Sequence, residues 1–544
     1  MRAAVLSAAA RRDALTAMQS PGELDVLVIG GGVVGAGAAL DATTRGLSTA
    51  LVEAGDWASG TSSRSSKLIH GGLRYLEMLD FHLVREALRE RGLLLDRLAP
   101  HLVQPVAFLY PLTHRVWERA YAGSGIALYD LMATGSGNLA GRRHHRHLSR
   151  RAALAIAPVL RRDALIGAIE YYDAQVDDAR FTMMLARTAA THGALIANRA
   201  RVVGFERSGT RITGARLRDL ESGRELTVRA KVVVSATGVW SEETQALAQV
   251  ADPLKVRTSK GVHLVVPRNR LNLTTGLIKR TEQSVLFVIP WGDFWIIGTT
   301  DTDYDADKDQ PRASNDDVTY LLDHLNSVLA APLRRDDIVG VYAGLRPLLD
   351  GGSDATAKLS REHAVSQPLP GLVVVAGGKY TTYRVMAEDA VNVAATQLER
   401  DVAPSRTRDV VLVGGDDWTP TWDARLELAA ESGLSVAQIE HLLRRYGSLS
   451  RELLDVISED RTLAAPLAPS SQYLRGEISY AVTHEGALHL DDVLVRRTHI
   501  SIETRDHGTG AARDIGAIMS PLLGWDPDRL RGELALYDSS VEAL

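Results

Sequence analysis

The sequence predicts an α/β protein of three parts: a doubly wound, Rossmann-like domain, a second domain built on an antiparallel sheet, and an all-helical C-terminal domain. Three observations lead to this prediction. A strand, a glycine-rich turn and a helix follow one another over residues 25–45. Apolar segments and a hairpin signal at Trp291-Gly292-Asp293 occupy residues 258–300. Helical spacing, with helix stops expected at Gly433 and Gly447, dominates beyond residue 403.

The first of these observations predicts a dinucleotide site. The continuous apolar run at 25–29 is typical of a buried parallel strand. The G-x-G-x-x-G glycines then allow a tight turn, a close approach of the backbone to a pyrophosphate, and close packing of helix on strand. These glycines are Gly30, Gly32 and Gly35. A second strand at 47–52 ends beside Glu53, whose carboxylate can accept hydrogen bonds from ribose hydroxyls.

Two later segments favour FAD over NAD as the dinucleotide. The strand at 232–237 ends in small residues at Gly238, which suits a flat cofactor. A late strand at 372–375 leads into Gly377-Gly378-Lys379 and a new helix. A helix N-terminus beside the flavin N1/O2 edge would stabilise the anionic reduced ring.

The predicted FAD-binding domain is discontinuous and comprises residues 20–105, 169–257 and 341–402. It includes a helix over 80–99 and strands over 194–205, 212–219 and 231–237. A substrate or cap domain is expected from 106–168 and 258–340, and the helical domain from 403–544. Helices in this last domain are predicted over 423–432, 435–446, 450–458, 476–485, 491–498 and 526–536.

Composition limits the possible functions. The formal net charge of −5 gives no global basic field for nucleic acid. The chain has no cysteine, which excludes disulfides, thiolate metal sites, iron–sulfur clusters and a cysteinyl-linked flavin. No run of about 18 apolar residues predicts a membrane-spanning helix. The stretch Ala3–Ala10 is similar to a short signal core, but the charged residues that follow favour a helical or disordered lead-in.

Two charged segments are discounted or left open. Aspartates alternate from Asp301 to Asp309, but Ala306 and Arg312 occupy the places where a calcium loop needs Gly and Glu, so we expect a solvated loop and no metal. The basic run Arg142–Arg151 could contact anionic lipid headgroups or could be a solvated loop.

The segment 61–76, TSSRSSKLIHGGLRYL, resembles the flavin-contacting loop of the FAD-dependent, aerobic-type glycerol-3-phosphate dehydrogenases, within the glycine/D-amino-acid-oxidase superfamily. The resemblance runs from about residue 23 to 525. Further matching pieces are Lys260–His263, Val288–Trp291, Gly298–Asp301, Ala343–Pro347, Ser360–Glu362, Gly377–Arg384 and Asp492–Thr498.

The resemblance implies oxidation of sn-glycerol 3-phosphate to dihydroxyacetone phosphate, with hydride transfer from C2 to flavin N5 and electrons passed to a membrane quinone. Arginine suits the substrate phosphate because its planar fork matches the phosphate oxygens. The implied substrate-binding residues are Arg74, Tyr75, Arg346, Arg361 and Lys379. The implied catalytic residues are His263, as general base for the C2 hydroxyl, with Arg74, Arg346 and Lys379.

The cofactor is expected to be held non-covalently. The implied FAD-binding residues are Gly30, Gly32, Gly35, Glu53, Thr61, Ser62, Ser63, Lys67, His70, Gly71, Gly238, Gly378, Lys379, Thr381 and Thr382. We also expect peripheral attachment to the inner, cytoplasmic face of the cell membrane, with a homodimer as one option. Three alternatives stay open: a glycerol-3-phosphate oxidase that uses oxygen, an amine or amino-acid oxidase of the same fold, and a flavin-binding structural or RNA-modifying protein without dehydrogenase activity.

Overall fold

In the computed structural model, the described strands form two sheets, one of eight strands and one of ten. The structure describes residues 2–20, 22–72, 81–113, 126, 128, 144–163, 165–281, 285–350, 362–467 and 472–542.

The first sheet has a parallel centre in the order β18-β10-β1-β2-β7, with β17 antiparallel at one edge and β8 and β9 continuing as an antiparallel ribbon from β10. Its strands are β1 (Leu24–Ile29), β2 (Thr49–Val52), β7 (Leu195–Ala197), β8 (Ala200–Ser208), β9 (Arg211–Asp219), β10 (Glu225–Ser235), β17 (His363–Leu369) and β18 (Leu372–Gly377). Helices associated with this part are α1 (Ala8–Met18), α2 (Val33–Thr44), α3 (Phe81–Leu93), α5 (Asp178–Thr191), α6 (Ser241–Leu247) and α8 (Tyr383–Ala395).

Strand β1 is apolar at consecutive positions because both faces of the sheet are covered. Val26 and Val28 join the core cluster that also contains the alanines of α2. Leu27 and Ile29 point the other way, into the cluster shared with β9 and β10. The continuous apolar run therefore identified this strand correctly.

The ten-stranded sheet is largely antiparallel, with one parallel pair, β4 with β12. Its strands are β3 (Leu68–Ile69), β4 (Gln104–Leu112), β5 (Arg146–Ser149), β6 (Gly167–Gln175), β11 (Val256–Pro267), β12 (Gly276–Arg280), β13 (Val285–Trp291), β14 (Phe294–Gly298), β15 (Thr302–Asp303) and β16 (Gly340–Leu349). Helices α4 (Arg150–Ile156) and α7 (Asn315–Asn326) pack against its apolar face. The predicted antiparallel layer over 258–300 is confirmed.

The segment beyond residue 403 is helical among its described residues, as predicted. Its helices are α9 (Trp418–Asp423), α10 (Arg425–Ser432), α11 (Val436–Tyr446), α12 (Ser450–Glu459), α13 (Arg475–His484), α14 (Ile500–Glu503), α15 (Thr509–Leu523) and α16 (Pro527–Glu542). Gly433 and Gly447 follow α10 and α11 with positive φ values of 75° and 58°.

Several local expectations differ from the structure. The predicted strand 194–205 is two strands, because Arg199 adopts a left-handed φ of 51° between β7 and β8. Residues 492–497 form a π-helix rather than an α-helix, as do residues 94–98. Strands β6 and β16 lie in the second sheet, whereas the predicted boundaries placed 169–175 and 341–349 with the nucleotide-binding segments. The remaining domain boundaries stay a prediction.

The two charged segments also differ from solvated loops. The described part of the basic run forms β5 and the start of α4, and Arg146 pairs with Glu170. In the aspartate-rich segment, Asp301 is not solvated: its side chain is buried and accepts a hydrogen bond from Ser259. No cluster of three or more His, Asp or Glu side chains that could hold a metal occurs among the described residues.

Candidate active site

A cavity of about 1200 Å³ reaches the carboxyl ends of β1, β2 and β10 and extends to the second sheet. This is the edge of a parallel sheet at which ligands of doubly wound folds bind. Residues from the helical C-terminal segment, including His499, also line it. The volume is above the usual range of about 300–1,000 Å³ for small-molecule pockets, so it suits a long ligand together with a second, small one.

The glycine-rich turn leaves no room for side chains. Gly30 has a φ of +109°, and a Cβ there would lie 2.6 Å from the carbonyl oxygen of Ala236. A Cβ at Gly35 would lie 1.9 Å from the carbonyl oxygen of Gly30. Gly35 thus lets α2 pack directly on the turn, while Gly30 and Gly32 line the cavity. This division of roles fits the pyrophosphate of a dinucleotide.

Glu53 lies at the end of β2, where its two carboxylate oxygens accept hydrogen bonds from the backbone N–H groups of Gly31 at 2.5 Å and Gly55 at 2.6 Å. Burial raises the pKa of Glu53, although both hydrogen bonds act in the opposite direction. The carboxylate is therefore fixed in place at the cavity wall.

The loop that follows Thr61 is held by Asp178, the first residue of α5. Its buried carboxylate accepts hydrogen bonds from the backbone N–H and hydroxyl of Ser65 at 2.9 and 2.6 Å, and it pairs with the Lys67 ammonium at 2.6 Å. Lys67 also donates to the carbonyl of Ser63 at 3.2 Å. The Lys67 side chain thus shapes the loop, and the structure does not place Lys67 on the cavity wall.

His263 lies on β11, 2% exposed, and lines the cavity. Its Nε2 shares a hydrogen bond with the hydroxyl of Ser66 at 2.8 Å, and its ring stacks on Tyr342 with centroids 4.8 Å apart. Its Nδ1 makes no hydrogen bond within the described part of the chain. Burial, and then the positive charges of Arg346 and Lys67, hold the pKa of His263 well below its usual value. The imidazole is therefore neutral at neutral pH.

Arg346 comes from β16, which pairs with β11 and aligns Arg346 opposite Ser259. Its guanidinium donates to the carbonyl of Thr300 at 3.2 Å and to the hydroxyl of Thr299 at 3.0 Å, and it lies 3.4 Å from the Asp301 carboxylate. The side chain is 23% exposed and lines the cavity. It is a cation whose position is fixed by these contacts.

Lys379 precedes the short helical turn Tyr380–Thr382 that leads into α8, beside the end of β18. Its ammonium nitrogen is shielded from solvent, and the residue lines the cavity. In the same turn the hydroxyl of Thr381 donates to the carbonyl of His70 at 3.2 Å. The predicted helix opening therefore lies against the flavin-loop segment.

Most of the site residues predicted from sequence converge on this one cavity. The cavity wall includes Gly30, Gly32, Glu53, Thr61, Ser62, Ser63, His70, Gly238, His263, Arg346, Gly378 and Lys379. The lining residues do not include Gly35, Lys67, Gly71, Thr381 and Thr382. Arg74, Tyr75 and Arg361 lie outside the described residues.

Sequence reasoning missed Ser66, Tyr342 and His499. Ser66 lies within the recognised loop, but nothing in the sequence links it to a histidine 197 positions away. Tyr342 pairs directly with His263 through the register of β16 against β11, which no pattern in the sequence shows. His499 directly follows the recognised 492–498 segment. No pattern in the sequence indicated that its side chain would line the cavity.

This combination of a glycine turn, a buried carboxylate at the end of the next strand and a pocket that reaches the second sheet defines a class of flavoenzyme. Residues 25–391 match the family model "FAD dependent oxidoreductase", and residues 405–530 match "C-terminal domain of alpha-glycerophosphate oxidase". The cavity fits FAD, since Gly30 and Gly32 leave the wall of the turn without side chains and Glu53 and Gly238 line the same cavity.

Similar proteins of known name identify the family within this class of flavoenzymes. The chain is 52% identical to the glycerol-3-phosphate dehydrogenase of Mycobacterium leprae over 96% of this chain and 88% of that protein. It is 38% identical to the human mitochondrial glycerol-3-phosphate dehydrogenase over 96% of this chain and 74% of that protein. The chain therefore belongs to the glycerol-3-phosphate dehydrogenase family.

A solved structure agrees with this assignment. The glycerol-3-phosphate dehydrogenase from Bacillus halodurans, complexed with FAD, superposes with a TM-score of 0.81 at 28% identity, covering 99% of this chain and 98% of that chain.

Proposed function

We propose that the protein oxidises sn-glycerol 3-phosphate to dihydroxyacetone phosphate and passes the electrons to a membrane quinone. The observation that carries the proposal is that a neutral imidazole, His263, and a guanidinium, Arg346, line one cofactor-sized cavity in a chain of this family. When FAD is bound, its flavin ring supplies the hydride acceptor.

His263 would take the proton of the C2 hydroxyl. A base must be unprotonated to act, and the lowered pKa keeps the imidazole neutral at neutral pH. The Ser66 hydroxyl and the Tyr342 ring fix the orientation of the imidazole. We expect kcat/KM to stay level down to pH values below 6.5, the ordinary histidine pKa, and to decline only in more acidic solution.

Arg346 would hold the substrate phosphate, together with Lys379. Phosphate needs cationic donors, and arginine offers two parallel N–H groups. Arg346 lines the cavity, and Thr299 and Thr300 hold its guanidinium in position. Anchoring the phosphate at one end leaves the C2 hydroxyl free to reach the base.

The decisive experiment is anaerobic titration of the purified holoprotein with glycerol 3-phosphate. The visible absorption band of oxidised flavin should bleach with this substrate, while glycerol, which lacks the phosphate, should leave it unchanged. Re-oxidation is then followed with a short-chain ubiquinone or with oxygen. Faster turnover with quinone supports the proposed acceptor. Faster turnover with oxygen, accompanied by stoichiometric peroxide, would assign an oxidase instead.

Delivery of electrons to quinone also requires contact with the bilayer, and we propose a peripheral location on the inner face of the membrane. No helix in the described residues is long and apolar enough to cross a membrane. The basic run Arg142–Arg151 could bind anionic lipid headgroups electrostatically. Arg142 and Arg143 lie outside the described residues, and Arg146 forms an ion pair with Glu170.

This location is tested by co-sedimentation with phosphatidylglycerol vesicles. Binding should be present at low salt and lost at 1 M, where the screening length falls from about 10 Å to about 3 Å. Substituting Arg142, Arg143 and Arg146 by glutamine should weaken it. Binding that survives both changes would move the contact to an apolar surface elsewhere.

A further inference from the structure

The C-terminal helices form part of the cofactor cavity itself. Besides the strand ends and the glycine turn, the wall includes Asp491, Arg496, Leu536, Tyr537 and Val541, the last three from α16. These residues lie more than 400 positions from the glycine-rich turn in sequence. Only the folded chain brings them to the same cavity wall as that turn.

Charged contacts fix this wall beside the ribose-binding acid. Asp56, three residues after Glu53, accepts hydrogen bonds from Arg496 Nε at 2.6 Å and from Arg497 at 2.7 and 2.9 Å. All three side chains of this contact are buried. Arg199 pairs with Asp492 at 2.5 Å, and its backbone N–H donates to the carbonyl of Gly55 at 2.8 Å.

A second contact orients α16. His489 hydrogen-bonds to Glu533 of α16 through Nδ1 at 2.9 Å and to Glu221 of the β9–β10 loop through Nε2 at 2.8 Å. Burial opposes charge on this ring, but the two carboxylates raise the pKa of His489 to about 10. The imidazolium therefore bridges two otherwise distant carboxylates, and it brings α16 over the loop that contains Leu220.

Three of the leucines that line this cavity are exposed. Leu220 from the β9–β10 loop, Leu247 from α6 and Leu536 from α16 line the wall, with exposures of 38%, 47% and 65%. The backbone N–H of Leu220 donates to the carbonyl of Arg199, which ties it to the segment beside Glu53. Leu536 lies one turn after Glu533, on the same face of α16.

We propose that these leucines and α16 seat the adenine of FAD, so that the helical C-terminal domain is part of the cofactor site. Glu53 fixes the ribose, and the adenine attached to that ribose must lie within a few ångströms of it. A flat ring with apolar faces is the ligand that exposed leucines on three elements can cover. The proposal rests on FAD as the family's cofactor and is independent of the substrate.

The test is titration of apoprotein with FAD, followed by flavin fluorescence, for wild type and Leu536→Asp. The aspartate places a charge where the adenine face would lie. FAD affinity should fall about tenfold or more, because burying a leucine contributes on the order of one such factor. Binding of FMN, which lacks the adenosine half, should change less than twofold. Leu426→Asp is the matched control, since Leu426 is 63% exposed in the same domain and does not line the cavity.

Three outcomes would overturn the proposal. FAD affinity of Leu536→Asp within twofold of wild type would remove adenine from this wall. An equal loss for FAD and FMN, or an equal loss in the Leu426→Asp control, would refute a specific contact between Leu536 and the adenosine half of FAD. Weaker vesicle binding with unchanged FAD affinity would assign the leucines to a lipid surface. No assay contains glycerol 3-phosphate, so an error in the proposed substrate would leave these results unchanged.

Discussion

Replacing Arg346 by alanine should impair use of glycerol 3-phosphate while leaving FAD bound. The guanidinium lines the cavity but lies apart from the glycine turn and from Glu53, so the nucleotide contacts are not altered directly. Losing a charge-assisted contact to a phosphate typically costs about 2–5 kcal/mol.

The structure favours the lower half of that range. Arg346 lies 3.4 Å from the Asp301 carboxylate, which offsets part of its charge, and its side chain is not fully desolvated. A loss of about 2–3.4 kcal/mol corresponds to a decrease in kcat/KM of about 30- to 300-fold. The effect should fall mainly on KM if the phosphate contact is equally strong in ground and transition states.

Steady-state reduction of a quinone analogue measures kcat/KM, and the flavin absorbance of the purified variant measures FAD content. Arg346→Lys keeps a charge near Asp301 but lacks the planar fork, so it should recover only part of the loss. Arg257→Ala is the matched control, because Arg257 lies on β11 and pairs with Asp303 outside the cavity. Activity of Arg346→Ala within threefold of wild type would refute the phosphate role.

Three further predictions concern the base, stability and the cofactor linkage. His263→Gln should lower the rate of flavin reduction in stopped flow by about 10²–10⁴-fold with FAD retained; a smaller loss would make the imidazole structural. Burial raises the pKa of Glu503 to about 7, although Trp291 and Tyr473 donate hydrogen bonds to its Oε1 at 2.9 and 3.3 Å. The folded state therefore holds a proton that the unfolded state releases above about pH 4.5, and stability falls as pH rises from about 4.5 to 7. Glu503→Gln should flatten that decline in thermal unfolding scans; an unchanged slope would contradict it. Acid precipitation should release the flavin into the supernatant, whereas flavin in the pellet would indicate a covalent link, with His70 the first position to examine.

The sequence was most informative where one local pattern had one physical explanation. The glycines at 30, 32 and 35 predicted a tight turn with a closely packed helix. In the structure they form such a turn. The two-sided burial of β1 follows from its uninterrupted apolar run. Local patterns could not show which distant partner a side chain takes. Lys67 fell in a recognised flavin loop, yet its ammonium pairs with Asp178, 111 positions away.

The second sheet shows a related limit. Residues 258–300 are continuous and were recognised, but β4 and β6 join the sheet from far earlier in the chain, and β16 joins it from later. Their sheet membership depends on tertiary pairing, which periodicity within a segment does not encode. For the same reason, the sequence could not predict that the C-terminal helices form part of the cavity wall.

The order of strands in the first sheet has a consequence for synthesis on the ribosome. Strand β10 separates β1 from β18, so the central parallel layer is completed only when residues 372–377 have been translated. At about 5–20 residues per second, β1 waits on the order of 20–70 s for that last parallel strand. During this interval the apolar surface that β18 and α8 will cover has no native partner. Nascent chains should therefore depend on chaperones that shield apolar surface until late in translation, and a chain truncated before β18 should aggregate rather than bind flavin.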